Sequence, residues 1–305
     1  MRVTARKPFG DVPRSTCVAA TEATVPRPRP RLSGCAHSPH RRLAVSRYLG
    51  HVNPTTLDGC HVLVTGATSG IGRACATRLH RDGAILLLAG RRRERLEAVA
   101  AELGERCNTA LLDVRDRAAV EALAKSDLGR GIDILINSAG LALGLEPVQL
   151  ASVDEWETMI DTNCKALVYT TRAFLPGMIS RSRGHVVHIG SVAGTYPYPA
   201  GHVYGATKAF VHQFSQAMKS DLAGTGVRVT CVEPGMVETE FSVVRFKGDE
   251  DRAKHVYEGM TPLSPDDIAD TVRFAVTRPA HVNINIVELM PTAQGFGPFL
   301  VKRSS

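Results

Sequence analysis

The strongest constraint on the fold is an alternation, from Leu57 onward, of short apolar runs with segments that carry a helical hydrophobic pattern. Such an alternation is typical of repeated strand-helix-strand units, which build a parallel sheet covered by helices on both faces. Seven runs have the length and composition of buried strands: HVLVT at 61–65, AILLLA at 84–89, TALLD at 109–113, IDILIN at 132–137, HVVHIG at 185–190, VRVTCV at 227–232 and NINIVEL at 283–289. The sequence therefore predicts an α/β fold: a single doubly wound domain with a seven-stranded parallel sheet flanked by helices.

Composition divides the chain into three regions: a basic, Pro/Arg-rich extension at residues 1–56, a folded domain at 57–291 and a C-terminal tail at 292–305. In the extension, PRPRPRLSG at 26–34 alternates Pro with Arg, which disfavours both helix and strand, so we expect this region to be disordered. Its Arg-rich, acid-poor composition also fits an organelle transit peptide, although the prolines would interrupt the helix that such peptides form. A dispensable extension or an upstream start codon is the alternative.

The net charge of +7 is concentrated at the N-terminus, because residues 1–50 carry +8 and the remainder carries −1. A nearly neutral domain lacks the basic groove that binds phosphate backbones, so we expect no nucleic-acid partner. No stretch approaches the roughly 18 consecutive apolar residues of a membrane span, so we expect no membrane partner.

Seven cysteines are scattered along the chain, with no C-x-x-C pair and no Cys/His spacing of the zinc type. We therefore expect no metal site. An odd number of cysteines without a framework also argues against a secreted disulfide scaffold, so a reducing, cytoplasmic compartment is expected.

The segment VLVTGATSGIGRA at 62–74 runs from a predicted strand directly into a predicted helix. Gly66, Gly70 and Gly72 would allow a tight turn and close approach of the backbone to a pyrophosphate, with Ser69 and Ile71 between them. An ordinary glycine-rich loop explains any one of these glycines but not the whole strand, turn and helix. The pattern predicts a dinucleotide-binding turn.

The segment YGATK places Tyr204 and Lys208 one turn apart on a predicted helix. At this spacing both side chains share a face, so an ammonium group can stabilise a phenolate. A free tyrosine titrates near pH ~10, too high for efficient proton transfer at neutral pH. The pair therefore predicts an acid-base catalyst in which Lys208 makes the Tyr204 phenol more acidic.

The T-G-x-x-x-G-I-G turn and the YGATK segment together resemble the short-chain dehydrogenase/reductase family, which implies a Rossmann-type domain and an oxidoreductase activity. The resemblance implies that Ser191 steers the substrate oxygen, and that Asn163 in IDTNCKA bends a helix and holds a water that passes protons from the lysine. It also implies that the lysine holds the nicotinamide ribose. The same resemblance assigns further cofactor contacts to Asp113, Val114, Asn137, Ser138, Ala139, Gly140, Pro234, Gly235, Val237 and Thr239. Ser138 departs from the second Asn of the family's N-N-A-G motif, which puts one hydrogen bond in doubt.

The residues after the second predicted strand indicate the cofactor. Short-chain dehydrogenases that use NAD carry an acid there, whereas this chain has Gly90, Arg91 and Arg92. Two guanidinium groups can pair with a 2′-phosphate, so NADP(H) is the expected cofactor. A solvated, charged helix start is the alternative interpretation.

Longer stretches, including NSAGLALGLEP and PAHVNINIVELMP, closely resemble the NADP-dependent 3-hydroxy acid dehydrogenase subgroup over residues 58–291. The resemblance implies oxidation of serine, allo-threonine or 3-hydroxyisobutyrate, or reduction of the matching semialdehyde. Arg245 or Lys247 in VRFKG is a candidate ligand for the substrate carboxylate, with a solvated or cofactor-phosphate role as the alternative. The family also implies a homotetramer.

Two other functions stay open at this point. A carbonyl reductase of ketones, sugars or quinones would use the same residues with a different pocket. A non-catalytic NADPH-binding regulator would typically have lost the tyrosine or the lysine, and both are present here.

Overall fold

The computed structural model describes residues 56–297 and Val301. The predicted extension at 1–56 lies outside the described residues except for Thr56, and the predicted tail at 292–305 is described only at 292–297 and 301. The boundaries predicted for these two regions therefore stay predictions.

One seven-stranded sheet forms the centre of the domain, with the strand order β3-β2-β1-β4-β5-β6-β7 and every pairing parallel. The strands are β1 (His61–Thr65), β2 (Ile85–Gly90), β3 (Cys107–Leu111), β4 (Ile134–Asn137), β5 (Gly184–Ile189), β6 (Val227–Pro234) and β7 (Ile286–Leu289). This arrangement confirms the predicted doubly wound α/β fold. Alternation along β1 places Val62 and Val64 in one hydrophobic cluster and Leu63 in the other, so both faces of the strand are buried.

Nine α-helices connect and cover the strands within the described part of the chain. They are α1 (Gly70–Arg81), α2 (Arg93–Leu103), α3 (Arg117–Lys125), α4 (Val153–Ile160), α5 (Ala166–Ser180), α6 (His202–Asp221), α7 (Glu240–Arg245), α8 (Glu250–His255) and α9 (Pro265–Val276). Leu79 of α1 and Ile268 of α9 pack in the first cluster, and Val120 of α3 and Phe174 of α5 pack in the second. Burial of each such large side chain stabilises the fold by about 1.5–3 kcal/mol.

The observed β3 begins and ends two residues earlier than the run predicted at 109–113. The reason is its position at the edge of the sheet, where Asn108, Thr109 and Leu111 are exposed. An edge strand forms by backbone pairing with its single neighbour, so its first and last residues are not set by the position of the apolar residues.

The last strand is shorter than the predicted run at 283–289. Asn283 does not enter the ladder with its backbone; its side chain accepts from the Val229 N–H at 2.8 Å and donates to the Val229 carbonyl at 2.8 Å. A side chain thus replaces the backbone partner, and regular pairing starts only at Ile286.

The strand order reverses between β1 and β4, because the chain winds outward to β3 and then returns to the other side of β1. In open parallel sheets, this reversal leaves a crevice at the carboxyl ends of the strands. None of the helices described between residues 56 and 297 has the length and apolar character needed to cross a bilayer.

Candidate functional site

A cavity of about 640 Å³ lies at the carboxyl ends of the strands, and its size is within the range of small-molecule and cofactor sites. Its walls come from the loops after β1, β2, β4, β5 and β6, from α6 and from the segment around α7. The lining includes most of the residues predicted from the sequence: Gly66, Ser69, Gly70, Ile71, Gly72, Arg91, Arg92, Val114, Ser138, Ala139, Gly140, Ser191, Tyr204, Lys208, Pro234, Gly235, Val237, Thr239 and Arg245. The fold therefore brings residues far apart in the sequence to one cavity.

The glycines of the first loop are required by local geometry. Gly66 and Gly70 have φ of +68° and +50°, which other residues rarely adopt. A Cβ at Gly72 would lie 2.4 Å from the Gly66 carbonyl oxygen, so only glycine allows α1 to approach the turn this closely. All three glycines line the cavity, so a ligand in it can approach the backbone of this cradle-like turn.

The start of α1 faces this cradle. Ser69 precedes the helix with extended backbone, and within the described chain its hydroxyl makes no capping hydrogen bond to the first turn. The N–H groups of that turn and the helix dipole can therefore stabilise an anion. These features fit a dinucleotide, which the predicted turn requires.

Two arginines lie where β2 ends. Arg91 and Arg92 both line the cavity, and the Arg92 Nη2 donates to Thr68 Oγ1 at 2.7 Å and to Ser69 Oγ at 3.0 Å. These hydroxyl contacts hold the Arg92 guanidinium beside the phosphate-binding turn. The arrangement favours a cofactor with a 2′-phosphate over one with a free hydroxyl.

Asp113 and Val114 have different surroundings. Val114 is buried in the cavity wall, whereas Asp113 is absent from the described lining. The Asp113 Oδ2 accepts from the Arg115 Nη2 at 2.6 Å, and this hydrogen bond is the main cause that holds the pKa of Asp113 below its usual value. The structure thus directs the Asp113 carboxylate to Arg115, and its predicted adenine contact stays a prediction.

The residues at the end of β4 and after it also differ in whether they line the cavity. Asn137 lies outside the described lining, because its side chain is buried and bonded to Thr170 Oγ1 at 2.7 Å and to Thr171 Oγ1 at 3.1 Å. The backbone N–H groups of Ser138 and Ala139 donate to Thr65 Oγ1 at 3.1 and 3.2 Å. This network fixes the loop while Ser138 itself faces the cavity.

Tyr204 and Lys208 lie on one face of α6, as the spacing predicts, with the Lys208 Nζ 5.8 Å from the centre of the Tyr204 ring. The Lys208 Nζ donates to the Ile189 carbonyl at 2.8 Å, which anchors it below the end of β5. Burial lowers the pKa of Lys208 to about 8, because a buried ammonium loses its hydration.

The pKa of Tyr204 is influenced by burial and by side chains from other elements. Burial raises this pKa above its usual value, and the influences that lower it are a hydrogen bond from Ser191 and the charge of Arg245. The sequence analysis assigned this effect to Lys208, whose Nζ lies 5.8 Å from the centre of the Tyr204 ring and donates to the Ile189 carbonyl. The effect of Lys208 on the phenol stays a prediction, and the structure adds Arg245 as a second cation beside the ring.

Arg245 is the last residue of α7 and reaches back over the catalytic face. Its guanidinium carbon lies 5.6 Å from the Tyr204 ring centre and 5.4 Å from that of Tyr198. Its Nη2 donates to the Tyr198 hydroxyl at 2.7 Å and its Nε donates to the Gly144 carbonyl at 3.4 Å. Sequence analysis did not identify Tyr198, since no motif marks it.

Ser191 and the segment after β6 also line the cavity. The Ser191 hydroxyl donates to the Pro234 carbonyl at 3.4 Å and accepts from the Ala193 N–H at 3.1 Å. Thr239 caps α7 by accepting from the Phe241 N–H at 3.1 Å, and the Val237 carbonyl accepts from the Tyr257 hydroxyl at 2.8 Å.

Asn163 lies behind the cavity wall, in a single π-helical turn at Asp161–Lys165 that separates α4 from α5. Its Oδ1 accepts from the Leu141 N–H at 2.9 Å, and its Nδ2 donates to the Leu141 carbonyl at 2.8 Å and to Thr207 Oγ1 at 3.0 Å. The side chain thus joins the interrupted helix, the loop after β4 and α6. Inserted π turns are frequent at functional sites.

In the part of the chain that the structure describes, no group of three or more His, Cys, Asp or Glu side chains is arranged to hold a metal ion. The Tyr204 phenol lines the cavity and is a group that can exchange a proton with a substrate.

Comparison with known proteins agrees with this geometry. The family model for "short chain dehydrogenase" matches residues 60–250. The NADP-dependent 3-hydroxy acid dehydrogenase YdfG of Salmonella typhi is 57% identical over 246 residues, covering 80% of this chain and 99% of that protein. The serine 3-dehydrogenase of Agrobacterium fabrum is 49% identical over 246 residues, covering 80% of this chain and 98% of that protein. Among solved structures, the closed form of a serine dehydrogenase complexed with NADP⁺ is 53% identical with a TM-score of 0.76, covering 80% of this chain and 100% of that one.

Proposed function

Because this chain belongs to the short-chain dehydrogenase family, we propose that it is an NADP-dependent oxidoreductase acting on a small 3-hydroxy acid of the serine, allo-threonine or 3-hydroxyisobutyrate type. The reverse reaction reduces the matching semialdehyde. The observation that carries the proposal is that one cavity is lined both by the Tyr204 phenol and Lys208 and by Arg91 and Arg92.

The chain's own residues supply cofactor binding. Gly66, Gly70 and Gly72 leave room for the pyrophosphate against the start of α1, and Arg91 and Arg92 bind the 2′-phosphate. When bound, the cofactor supplies a ring that accepts or donates hydride.

Proton transfer takes place at the Tyr204 phenolic oxygen. In the oxidative direction, the phenolate takes the proton of the substrate hydroxyl, and Ser191 donates a hydrogen bond that holds the substrate oxygen. In the reductive direction, the phenol returns the proton. Asn163 is hydrogen-bonded to Thr207 and Leu141 and so holds α6 and the loop after β4 in fixed positions around Lys208.

The substrate carboxylate is assigned to Arg245. Its guanidinium lies over the Tyr204 ring, with its Nη2 on the Tyr198 hydroxyl, so an acid bound there would place its 3-hydroxyl near the phenol. A carboxylate is attracted to a half-buried guanidinium that already lines the cavity.

The deciding experiment is NADP⁺-coupled turnover with a panel of short 3-hydroxy acids and, as controls, simple secondary alcohols of the same length. We expect the acids to be preferred, and Tyr204→Phe to lower kcat by about 10²-fold to 10⁴-fold while NADP⁺ still binds. Turnover of the alcohols but not the acids would favour the carbonyl reductase alternative. Full activity of Tyr204→Phe would contradict the mechanism.

We further propose a homotetramer, which the family resemblance implies. The partly exposed Phe210 of α6, with 41% of its surface accessible, and the exposed Ile160 at the end of α4 and Ile179 in α5 support an interface on these helices. Light scattering coupled to gel filtration tests this, and a monomer at micromolar concentration would contradict it.

We propose that the enzyme acts in the cytoplasm. The cysteines of the described chain are free thiols, in agreement with a reducing compartment. Fractionation of cells that express the chain with and without residues 1–56 tests this, because loss of an organelle pool on truncation would favour the targeting alternative.

A further inference from the structure

Glu240, the first residue of α7, lies in the lining of the cavity beside the arginines of the phosphate end. The Arg92 Nη1 donates to Glu240 Oε2 at 3.3 Å, and the Arg95 Nη1 donates to Oε1 and Oε2 at 2.8 Å each. No cofactor motif of the sequence includes Glu240. Its carboxylate nevertheless contacts Arg92, one of the two arginines that we propose to bind the 2′-phosphate.

We propose that Glu240 competes with the 2′-phosphate of NADP(H) for Arg92, and thereby sets how strongly the enzyme prefers NADP(H) to NAD(H). This inference rests on the proposed function, in which Arg92 binds that phosphate. It makes Glu240 a specificity-determining residue on an element that otherwise serves the substrate side of the cavity.

The competition follows from how the donors of Arg92 are divided. Its Nη2 is bonded to the hydroxyls of Thr68 and Ser69, which position the guanidinium, while its Nη1 faces Glu240. A phosphate and a carboxylate both accept hydrogen bonds from this Nη1 side of the guanidinium. Because two anions on the same guanidinium repel each other, the phosphate must displace Glu240 from Arg92 or bind less favourably beside it.

Arg95 lowers the free energy needed to displace Glu240 from Arg92. It contacts both Glu240 oxygens, so Glu240 can release Arg92 and stay bonded to Arg95. All three side chains are close to half exposed, at 42% for Arg92, 48% for Arg95 and 49% for Glu240. Ion pairs with this exposure are weak, so we expect the competition to change cofactor affinity by about three- to tenfold and not to block binding.

The carboxylate is charged under working conditions. Although burial raises the pKa of Glu240, the hydrogen bonds from Arg95 and Arg92 lower it to below its usual value. The negative charge that opposes the phosphate is therefore present throughout the neutral range.

The test is a calorimetric titration of wild type, Glu240→Gln and the control Glu238→Gln with NADP⁺ and, separately, with NAD⁺. Glu238 is an exposed carboxylate two residues away, so its variant has the same change of net charge. We expect Glu240→Gln to bind NADP⁺ about three- to tenfold more tightly, with NAD⁺ affinity unchanged and Glu238→Gln close to wild type. Unchanged or weaker NADP⁺ binding by Glu240→Gln, with NAD⁺ binding intact, would overturn the proposal, as would equal tightening in Glu238→Gln.

A second variant tests the role of Arg95. In Arg95→Gln, Arg92 is the one ion-pair partner that Glu240 keeps among the described residues, so NADP⁺ should bind more weakly, and adding Glu240→Gln should tighten binding more than it does in wild type. A smaller gain in that background contradicts the competition. If wild type itself binds NADP⁺ no better than NAD⁺, the proposed function fails; if wild type prefers NADP⁺ but the Glu240 variants do not respond, only this inference fails.

Discussion

The guanidinium carbon of Arg245 lies 5.6 Å from the centre of the Tyr204 ring, on the face of the tyrosine that the cavity exposes to a substrate. The two residues are far apart in the sequence, on α7 and α6. Because the cation can act on both the phenol and an incoming carboxylate, one residue can influence proton transfer and substrate affinity together.

Replacing Arg245 with Gln should therefore have two effects. The KM for the hydroxy acid should rise about tenfold or more, because a charged hydrogen bond to the carboxylate is lost. The acidic limb of the pH profile of kcat/KM for oxidation should move to higher pH, because the charge that lowers the pKa of Tyr204 is gone. Steady-state kinetics from pH 6 to pH 10 measures both.

Arg252→Gln is the matched control for this variant, since Arg252 lies on α8 with its guanidinium over Phe246. Tyr198→Phe should shift KM in the same direction as Arg245→Gln but less, because it removes only the hydroxyl that accepts from Arg245. An Arg245→Gln enzyme with wild-type KM would remove this residue from the substrate site.

Gly72→Ala should prevent cofactor binding. Its Cβ would lie 2.4 Å from the Gly66 carbonyl oxygen, so the turn or α1 must shift, which we expect to cost about 2 kcal/mol or more of folding stability. Gly131→Ala is the control, because nothing lies within 4 Å of an added Cβ there. Thermal unfolding with and without NADP⁺ should show a ligand-induced rise in Tm for Gly131→Ala and almost none for Gly72→Ala; equal rises would contradict the close-approach argument.

Lys208 should make stability depend on pH in the alkaline range. Its pKa is about 8 in the folded protein and about 10.5 when unfolded, so the unfolded chain binds more protons between these values and stability rises with pH there. Relative to Lys208→Met, wild type should gain about 2 kcal/mol between pH 7 and pH 10. Urea unfolding at the two pH values measures the difference, and parallel changes in both proteins would refute it.

Acid should destabilise the domain through His188. Burial lowers the pKa of His188 to about 3, so the folded protein keeps it neutral while the unfolded chain binds a proton below about pH 6.5. The free energy of unfolding should therefore decrease as the pH falls below about 6.5. We expect His188 to account for a decrease of about 3 kcal/mol at pH 4.

The variant for this measurement is His188→Gln, whose free energy of unfolding should fall less between pH 7 and pH 4 than that of wild type. The exposed His281, replaced by Gln, serves as the control and should follow wild type. A wild-type slope in His188→Gln would show that another group governs the acid sensitivity.

The fold could be predicted because most strands are buried on both faces and therefore appear in the sequence as apolar runs. β1 was predicted residue for residue, and β2 and β5 are displaced by one. The limits predicted for β3 and β7 were less accurate. The limits of β3 depend on pairing with its neighbour because it is an exposed edge strand, and β7 starts late because the Asn283 side chain bonds to the neighbouring strand. Such pairing depends on tertiary contacts that a local pattern does not contain.

The site residues show the same difference between local patterns and tertiary contacts. Residues that belong to compact motifs, such as Gly72 and Tyr204, were found because their spacing has a local physical reason. Glu240 and Tyr198 were missed because their importance comes from partners distant in the chain: Glu240 pairs with Arg92 and Arg95, and Tyr198 with Arg245. The contribution of Arg245 to the pKa of Tyr204 was missed for the same reason, since it comes from a contact between α7 and α6.

The π-helical turn at Asp161–Lys165 limits how this chain can vary in length. Each residue of a helix rotates the chain by about 100° and advances it by about 1.5 Å, so deleting one residue here would produce a regular helix but turn everything on one side of it relative to the other. The hydrophobic profile would hardly change, and the backbone would gain regular hydrogen bonds. Yet Asn163 would no longer point at Leu141 and Thr207, so a deletion that makes the helix more ideal would disconnect it from the reaction centre.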